Sequence, residues 1–176
     1  ENHRRFEFVV DAKDGTILYQ ESKIYHAVSG RVSAVATTGY GADTCAAEAD
    51  TGLPYVQVKT GATIGYTDVD GNYSIAAGAA GATYTTTLVG RWFTTTNNSG
   101  ATLTQSTTAD DGATWSPQFN TANTVEAERA QVNAYIMANK TRDMVVAANP
   151  TFPTVATQAS TFQVNCNLAN TCNAYY

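Results

Sequence analysis

The stretch Tyr55-Val-Gln-Val-Lys-Thr-Gly-Ala-Thr-Ile-Gly-Tyr-Thr-Asp-Val-Asp-Gly-Asn-Tyr-Ser-Ile-Ala76 decides the fold. It holds three short runs rich in Val, Ile, Thr and Tyr, at Tyr55 to Lys59, Thr63 to Thr67 and Tyr73 to Ala76, divided by glycine-containing turns. Such runs are too short for helices and match strands bounded by turn chemistry. The same rhythm continues on both sides, at Val28 to Ala36, Thr83 to Val89 and Trp92 to Thr96. Short strands at regular spacing predict a mainly β protein built on a small antiparallel β-sandwich over residues 28–110. Gly39 to Gly52 reads as a long excursion from the sheet, Gly78 to Ala82 as a loop, and Asn97 to Gly112 as another polar loop.

Upstream, Phe6-Glu-Phe-Val-Val-Asp-Ala-Lys-Asp-Gly-Thr-Ile-Leu-Tyr-Gln20 places two β-branched and aromatic runs around Asp14-Gly15, which predicts a hairpin within residues 1–27. Phe6, Phe8 and Val10 alternate onto one face, so that face is expected to be buried against protein, with at least one hairpin edge paired to a further strand. Downstream, residues 111–176 change character. Asn123-Thr-Val-Glu126 has the spacing of a capping box, and the helix formers after it predict one long helix that stops before Asn149-Pro150. Val125, Ala130, Ala134, Met137 and Met144 form the expected core-facing stripe. Thr161 to Asn165 returns to strand, and the run to Tyr176 reads as the opening of a further unit rather than a closed domain.

With 176 residues the chain can bury one ordinary core or two small ones. Charged residues make up only 14% of it, whereas about 25% is usual, and threonine fills about one position in six, so hydroxyls replace charges on the surface. The net charge is -5, and the basic residues cluster only at His3-Arg4-Arg5, which excludes nucleic acid as the main partner. No apolar run reaches the roughly 18 residues of a membrane span, and the opening Glu1-Asn-His-Arg-Arg5 is unlike an export signal, so any such signal is expected to have been removed.

The cysteines Cys166 and Cys172 flank Asn-Leu-Ala-Asn-Thr and are expected to form a small disulfide loop; a zinc knuckle is the rival reading, but only His3 and His26 are present to complete it. Cys45 is left either buried and free or paired elsewhere. Asn72, Asn97 and Asn139 begin Asn-x-Ser/Thr triplets and are candidate glycosylation sites. Together with the low lysine content, these features point to an extracellular protein.

Asp68, Asp70 and Asn72 alternate as calcium ligands do, yet Tyr73 and Ala79 stand where an EF-hand requires glycine and a carboxylate. The motif reads first as a tight Asp-Gly turn and second as a calcium site; Asp110-Asp-Gly112 reads as a turn as well. No other cofactor is indicated. The sequence contains no His-Glu-x-x-His, Gly-x-Ser-x-Gly or phosphate-binding glycine loop. Glu126 and Glu128 lie two apart on the expected helix, on different faces, and so cannot work as an acid and base pair. His26 reads as a surface or packing residue.

Phe8-Val-Val-Asp-Ala-Lys-Asp-Gly-Thr-Ile-Leu18 resembles the closing hairpin of the propeptide of secreted thermolysin-like and fungalysin-like zinc metallopeptidases. Leu53 to Val58 with Tyr66 to Ile75 resembles the carboxypeptidase-regulatory-like sandwich. Gln131-Val-Asn-Ala-Tyr135, Asn149-Pro-Thr-Phe-Pro153 and Cys172-Asn-Ala-Tyr-Tyr176 resemble the opening of a fungalysin-type catalytic region, upstream of its zinc helix. That zinc helix has no counterpart in these residues, so the resemblance carries no catalytic residue onto this chain. It implies a noncatalytic accessory region of a secreted zinc metallopeptidase that docks, orients or restrains the catalytic portion. The alternative is an extracellular structural or filament subunit, open to glycosylation, that assembles with identical neighbours by β-strand addition. Both readings make the partner a protein.

Overall fold

The computed structural model describes residues 6–22, 26–37, 48–76, 80–156 and 161–169. In chain order the elements are β1 (Phe6–Val10), β2 (Ile17–Ser22), β3 (Ala27–Arg31), β4 (Ser33–Ala36), β5 (Ala49–Gly52), β6 (Val56–Thr60) and β7 (Thr63–Tyr66). They continue with β8 (Asn72–Ala76), β9 (Ala82–Gly90), β10 (Phe93–Asn97), β11 (Thr104–Ala109), β12 (Gln118–Phe119), α1 (Glu126–Ala148) and β13 (Phe162–Cys166). The fold is mainly β, sandwich-like and mostly antiparallel, with one helix. Among the described residues no helix is long and apolar enough to cross a membrane.

The long strand β9 organises the structure. Its Tyr84, Thr86, Leu88 and Gly90 are buried and alternate with half-exposed threonines and Val89, the pattern of a strand with one face on a core. β6 pairs antiparallel with β9 from Val56↔Gly90 to Thr60↔Tyr84, and β11 and the start of β10 pair antiparallel with it as well. The sheet runs β13-β10-β9-β6-β7, and β13 joins parallel to β10. Opposite lie β12-β4-β5 and the pair β3-β8. The expected strand from Val28 to Ala36 is therefore two strands. At Val32 the chain leaves the ladder, donating its amide to Gly71 O at 2.8 Å and accepting one from Leu53 at 3.0 Å. This crossover needs Gly52, because a Cβ there would lie 1.9 Å from Asp70 O.

Two segments assigned to loops, 49–52 and 104–109, are strands. Neither alternates cleanly in sequence, and both are largely exposed, so their order comes from ladder hydrogen bonds to β4 and β9 and not from an apolar face.

Helix α1 covers the open face. Val132, Tyr135 and Ile136, at the i, i+3, i+4 spacing of one helical face, are fully buried with Val58, Leu88 and Phe119 in one cluster. The expected stripe is displaced: Val125 and Met144 are exposed, and Gln131 and Asn139 are buried in their place. Gln131 fits because both its polar atoms find backbone partners, whereas the buried Oδ1 of Asn139 has none among the described residues. Gln131 accepts from Leu103 N at 3.0 Å and donates to Ala127 O at 3.1 Å, and Asn139 donates to Tyr135 O at 2.9 Å. The expected capping box does not form either. Val125 is the N-cap and supplies no side-chain bond, while Asn123 has φ 50 and its side chain accepts from Asn120 and Arg129. The predicted stop holds, with Asn149 as the C-cap.

A polar and aromatic clasp ties α1 to the sandwich. Tyr55 has φ 55, and its hydroxyl donates to Asp143 at 3.0 Å while its ring meets Trp92 edge-on at 6.5 Å. The Arg142 guanidinium lies 3.6 Å from the Trp92 ring centroid and bonds Asp143 at 3.2 Å.

Candidate docking surface and the sandwich cleft

The hairpin forms as its residues dictate. Gly15 takes φ 77, Asp11 O accepts Gly15 N at 2.9 Å, and the Asp11 and Asp14 carboxylates accept the amides of Lys13 and Thr16. β1 and β2 pair from Phe6↔Ser22 to Val10↔Ile17, with a bulge between Val9 and Val10. Among the described residues neither strand pairs with any other. The expected burial of the Phe6, Phe8 and Val10 face does not occur against the described residues. Seven large apolar side chains from Phe6 to Tyr19 are exposed, from 38% at Phe6 to 63% at Leu18. Both faces take part: Phe6 and Phe8 stack on one at 5.9 Å, and Val9 opposes Tyr19 on the other. A two-stranded ribbon with that much exposed apolar surface is marginally stable in water on its own.

The Asp68 to Asn72 motif is a tight turn. Asp68 accepts the amides of Asp70 at 2.9 Å and Asn72 at 2.8 Å, and the Asn72 side chain reaches the same carboxylate at 3.2 Å. Burial pushes this carboxyl up, but the hydrogen bonds from Asn72, Asp70 and Gly71 outweigh it and hold it below the ordinary value. Gly71 at φ 88 supplies the left-handed step. Both Asp68 oxygens that suggested calcium thus accept hydrogen bonds within the turn. Among the described residues no group of three or more His, Cys, Asp or Glu is placed to hold a metal ion.

Around this turn lies an open cleft of about 540 Å³ that sequence reasoning missed. Tyr55, Tyr66, Asp68, Asn72, Ser74 and Arg91 are among the residues that line it. In the sequence the only hint was Tyr66 at the end of a strand, since Arg91 is brought in from the turn after β9. The floor is fixed by backbone bonds, Arg91 N to Tyr55 O at 2.9 Å and Tyr55 N to Asp68 O at 3.4 Å.

The other sequence candidates separate clearly. The disulfide expected at Cys166 is not seen: Cys166 is a free, buried thiol at the end of β13, its Sγ 3.4 Å from Thr96 O, and burial pushes the thiol up. Cys172 and Cys45 lie outside the described residues. Asn72 is exposed. Asn97 is half-buried, accepting from Ser99 and Asn167 and donating to Ala101 O at 2.9 Å. Asn139 is fully buried in α1, so the folded chain has no room for a glycan on it. The Asp110 to Gly112 turn ties His26 down, its main-chain amide bonding the Asp111 carboxylate. Glu126 and Glu128 stand in the first turn of α1, where carboxylates suit the helix dipole.

Comparison with protein-family models, with curated proteins and with solved structures gave no match.

Proposed function

We propose that this chain is a noncatalytic docking region of a secreted zinc metallopeptidase, and that the hairpin β1–β2 is its docking element. The observation that carries the reading is the hairpin itself: apolar on both faces, exposed, and paired only with itself among the described residues. The resemblance of Phe8 to Leu18 to a propeptide-closing hairpin, followed in order by the sandwich and helix motifs, supplies the identity of the partner. The sandwich serves as spacer and platform, and α1 with β13 begins the part that meets the catalytic portion. The chain by itself performs no peptide hydrolysis.

The test has two stages. Sequencing the coding region beyond Tyr176 is expected to find a His-Glu-x-x-His motif. The segment that encodes it, produced separately, is expected to bind the 176-residue chain and to lose that binding with Phe6→Ala/Phe8→Ala. A stop codon directly after Tyr176, or undiminished binding by the variant, would overturn the reading.

The alternative, a subunit that assembles by strand addition, is favoured by one observation: each strand of the two-stranded ribbon has an outer edge with no strand partner among the described residues. It predicts self-association of the isolated chain that light scattering would register, and that deletion of residues 1–22 would abolish.

A further inference from the structure

We infer that the cleft beside the Asp68 turn is a binding site for a neutral carbohydrate chain. The inference does not depend on the docking reading, since the cleft and the hairpin share no residue.

The chemistry of the cleft decides its ligand. Tyr66 is 44% exposed at the end of β7, and its ring is free to meet a flat apolar surface. The exposed Arg91 guanidinium, which also lines the cleft, lies 4.8 Å from the Trp92 ring centroid and has no carboxylate partner among the described residues. The hydroxyls of Tyr66 and Ser74 likewise have no hydrogen-bond partner there, while the Asn72 amide and one Asp68 oxygen complete a rim of donors and acceptors. A sugar ring presents the matching features, an apolar C–H face for the tyrosine and a hydroxyl edge for amide, hydroxyl, guanidinium and carboxylate. The cleft is open and mixed in polarity, unlike the enclosed apolar pockets that hold drug-like ligands. A polyanion is disfavoured, because the Asp68 carboxylate faces the same space as Arg91 and the chain is net negative.

The floor is preorganised. Tyr55 sits in the left-handed region at φ 55, held by its hydroxyl on Asp143 and its ring against Trp92, and its carbonyl fixes Arg91 N at 2.9 Å. A rigid floor lowers the ordering entropy that binding would otherwise lose.

The full chain, made in a bacterial host that leaves Asn72 unglycosylated, would be titrated by calorimetry with four probes: cellohexaose, xylohexaose, maltohexaose and tetra-N-acetylchitotetraose. Saturable binding of at least one is expected. Tyr66→Ala should weaken it at least about tenfold, because stacking area is lost, while Tyr66→Phe keeps the ring and should stay within about threefold. Ile64→Ala, exposed on the same strand and outside the cleft, should bind as the parent does. All three variants should melt as the parent does. Absence of binding to every probe, or binding that Tyr66→Ala leaves intact, would overturn the inference.

Discussion

Strands β1 and β9 are both apolar and aromatic in sequence, yet they end in opposite environments. In β9, Tyr84 and Leu88 are fully buried, because β6, β10 and β11 supply ladder partners and α1 closes over the face. In β1, Phe6 and Phe8 have a single ladder partner, β2, and remain exposed. A strand's composition shows that it wants a face covered, and only topology shows whether the same chain provides the cover. Where the described residues do not, the apolar area stays exposed, as on β1 and β2.

The comparison breaks most visibly through α1. Tyr135 is fully buried, its hydroxyl donates to Pro54 O at 2.9 Å, and its ring approaches so closely that a Cβ at Gly90 would lie 2.0 Å from the hydroxyl oxygen. Tyr135→Ala removes the ring, leaves a cavity at the helix–sheet interface and strands the Pro54 carbonyl. A loss of about 3–5 kcal/mol is expected, read as a drop in the urea midpoint. A loss below about 1 kcal/mol would show that the helix is not part of the same core.

What was legible in the sequence follows the same division. The strands Val56–Thr60, Asn72–Ala76 and Ala82–Gly90 were read within a residue or so, because alternating burial imposes alternating chemistry, and the exposed Thr63–Tyr66 was read from its β-prone residues between turns. Ala49–Gly52 and Thr104–Ala109 were missed, since edge strands held by hydrogen bonds carry no such alternation. The helix was legible in extent but not in facing. An alanine-rich helix offers several weak stripes, and buried Gln131 and Asn139 cannot be foreseen without the backbone groups they bond. The hairpin turn was legible from Asp14-Gly15, whereas the fate of its faces was not. The cleft escaped because Tyr55, Tyr66 and Arg91 come from three connections that only folding brings together.

A smaller effect is expected at the Asp68 turn, which joins β7 in one sheet to β8 in the other. The Asp68 carboxyl is held below its ordinary value of 3.8, so the folded state favours the carboxylate. That contribution is fully present above the ordinary value and is lost as pH falls through the lower folded-state value. Asp68→Asn keeps an oxygen acceptor and removes the charge. At about pH 7 the variant should lose about 1 kcal/mol or less, given the exposure of the site, and the gap from the parent should close as pH is lowered to about 2. Urea titrations of both proteins across that range would measure it. A gap that does not shrink in acid would show that the carboxylate charge contributes nothing to the turn.

The smallest stability effect should come from the hairpin, where the functional effect should be large. Phe6 and Phe8 stack on each other at 5.9 Å and are exposed, so in the isolated chain their truncation to alanine removes little buried area. The melting midpoint of Phe6→Ala/Phe8→Ala should stay within the shift that corresponds to about 0.5 kcal/mol. Association is different, because covering aromatic side chains is where binding energy concentrates, and the same variant should lose at least about 2 kcal/mol of it, roughly thirtyfold in affinity. Deleting residues 1–22 should extend both trends, leaving the β9-centred sandwich folded while removing association altogether. Light scattering beside thermal unfolding separates the two quantities. If the variant instead melts well below the parent, the hairpin packs on its own chain and belongs with β9; if stability and association are both unchanged, the exposed apolar ribbon is a dispensable tail.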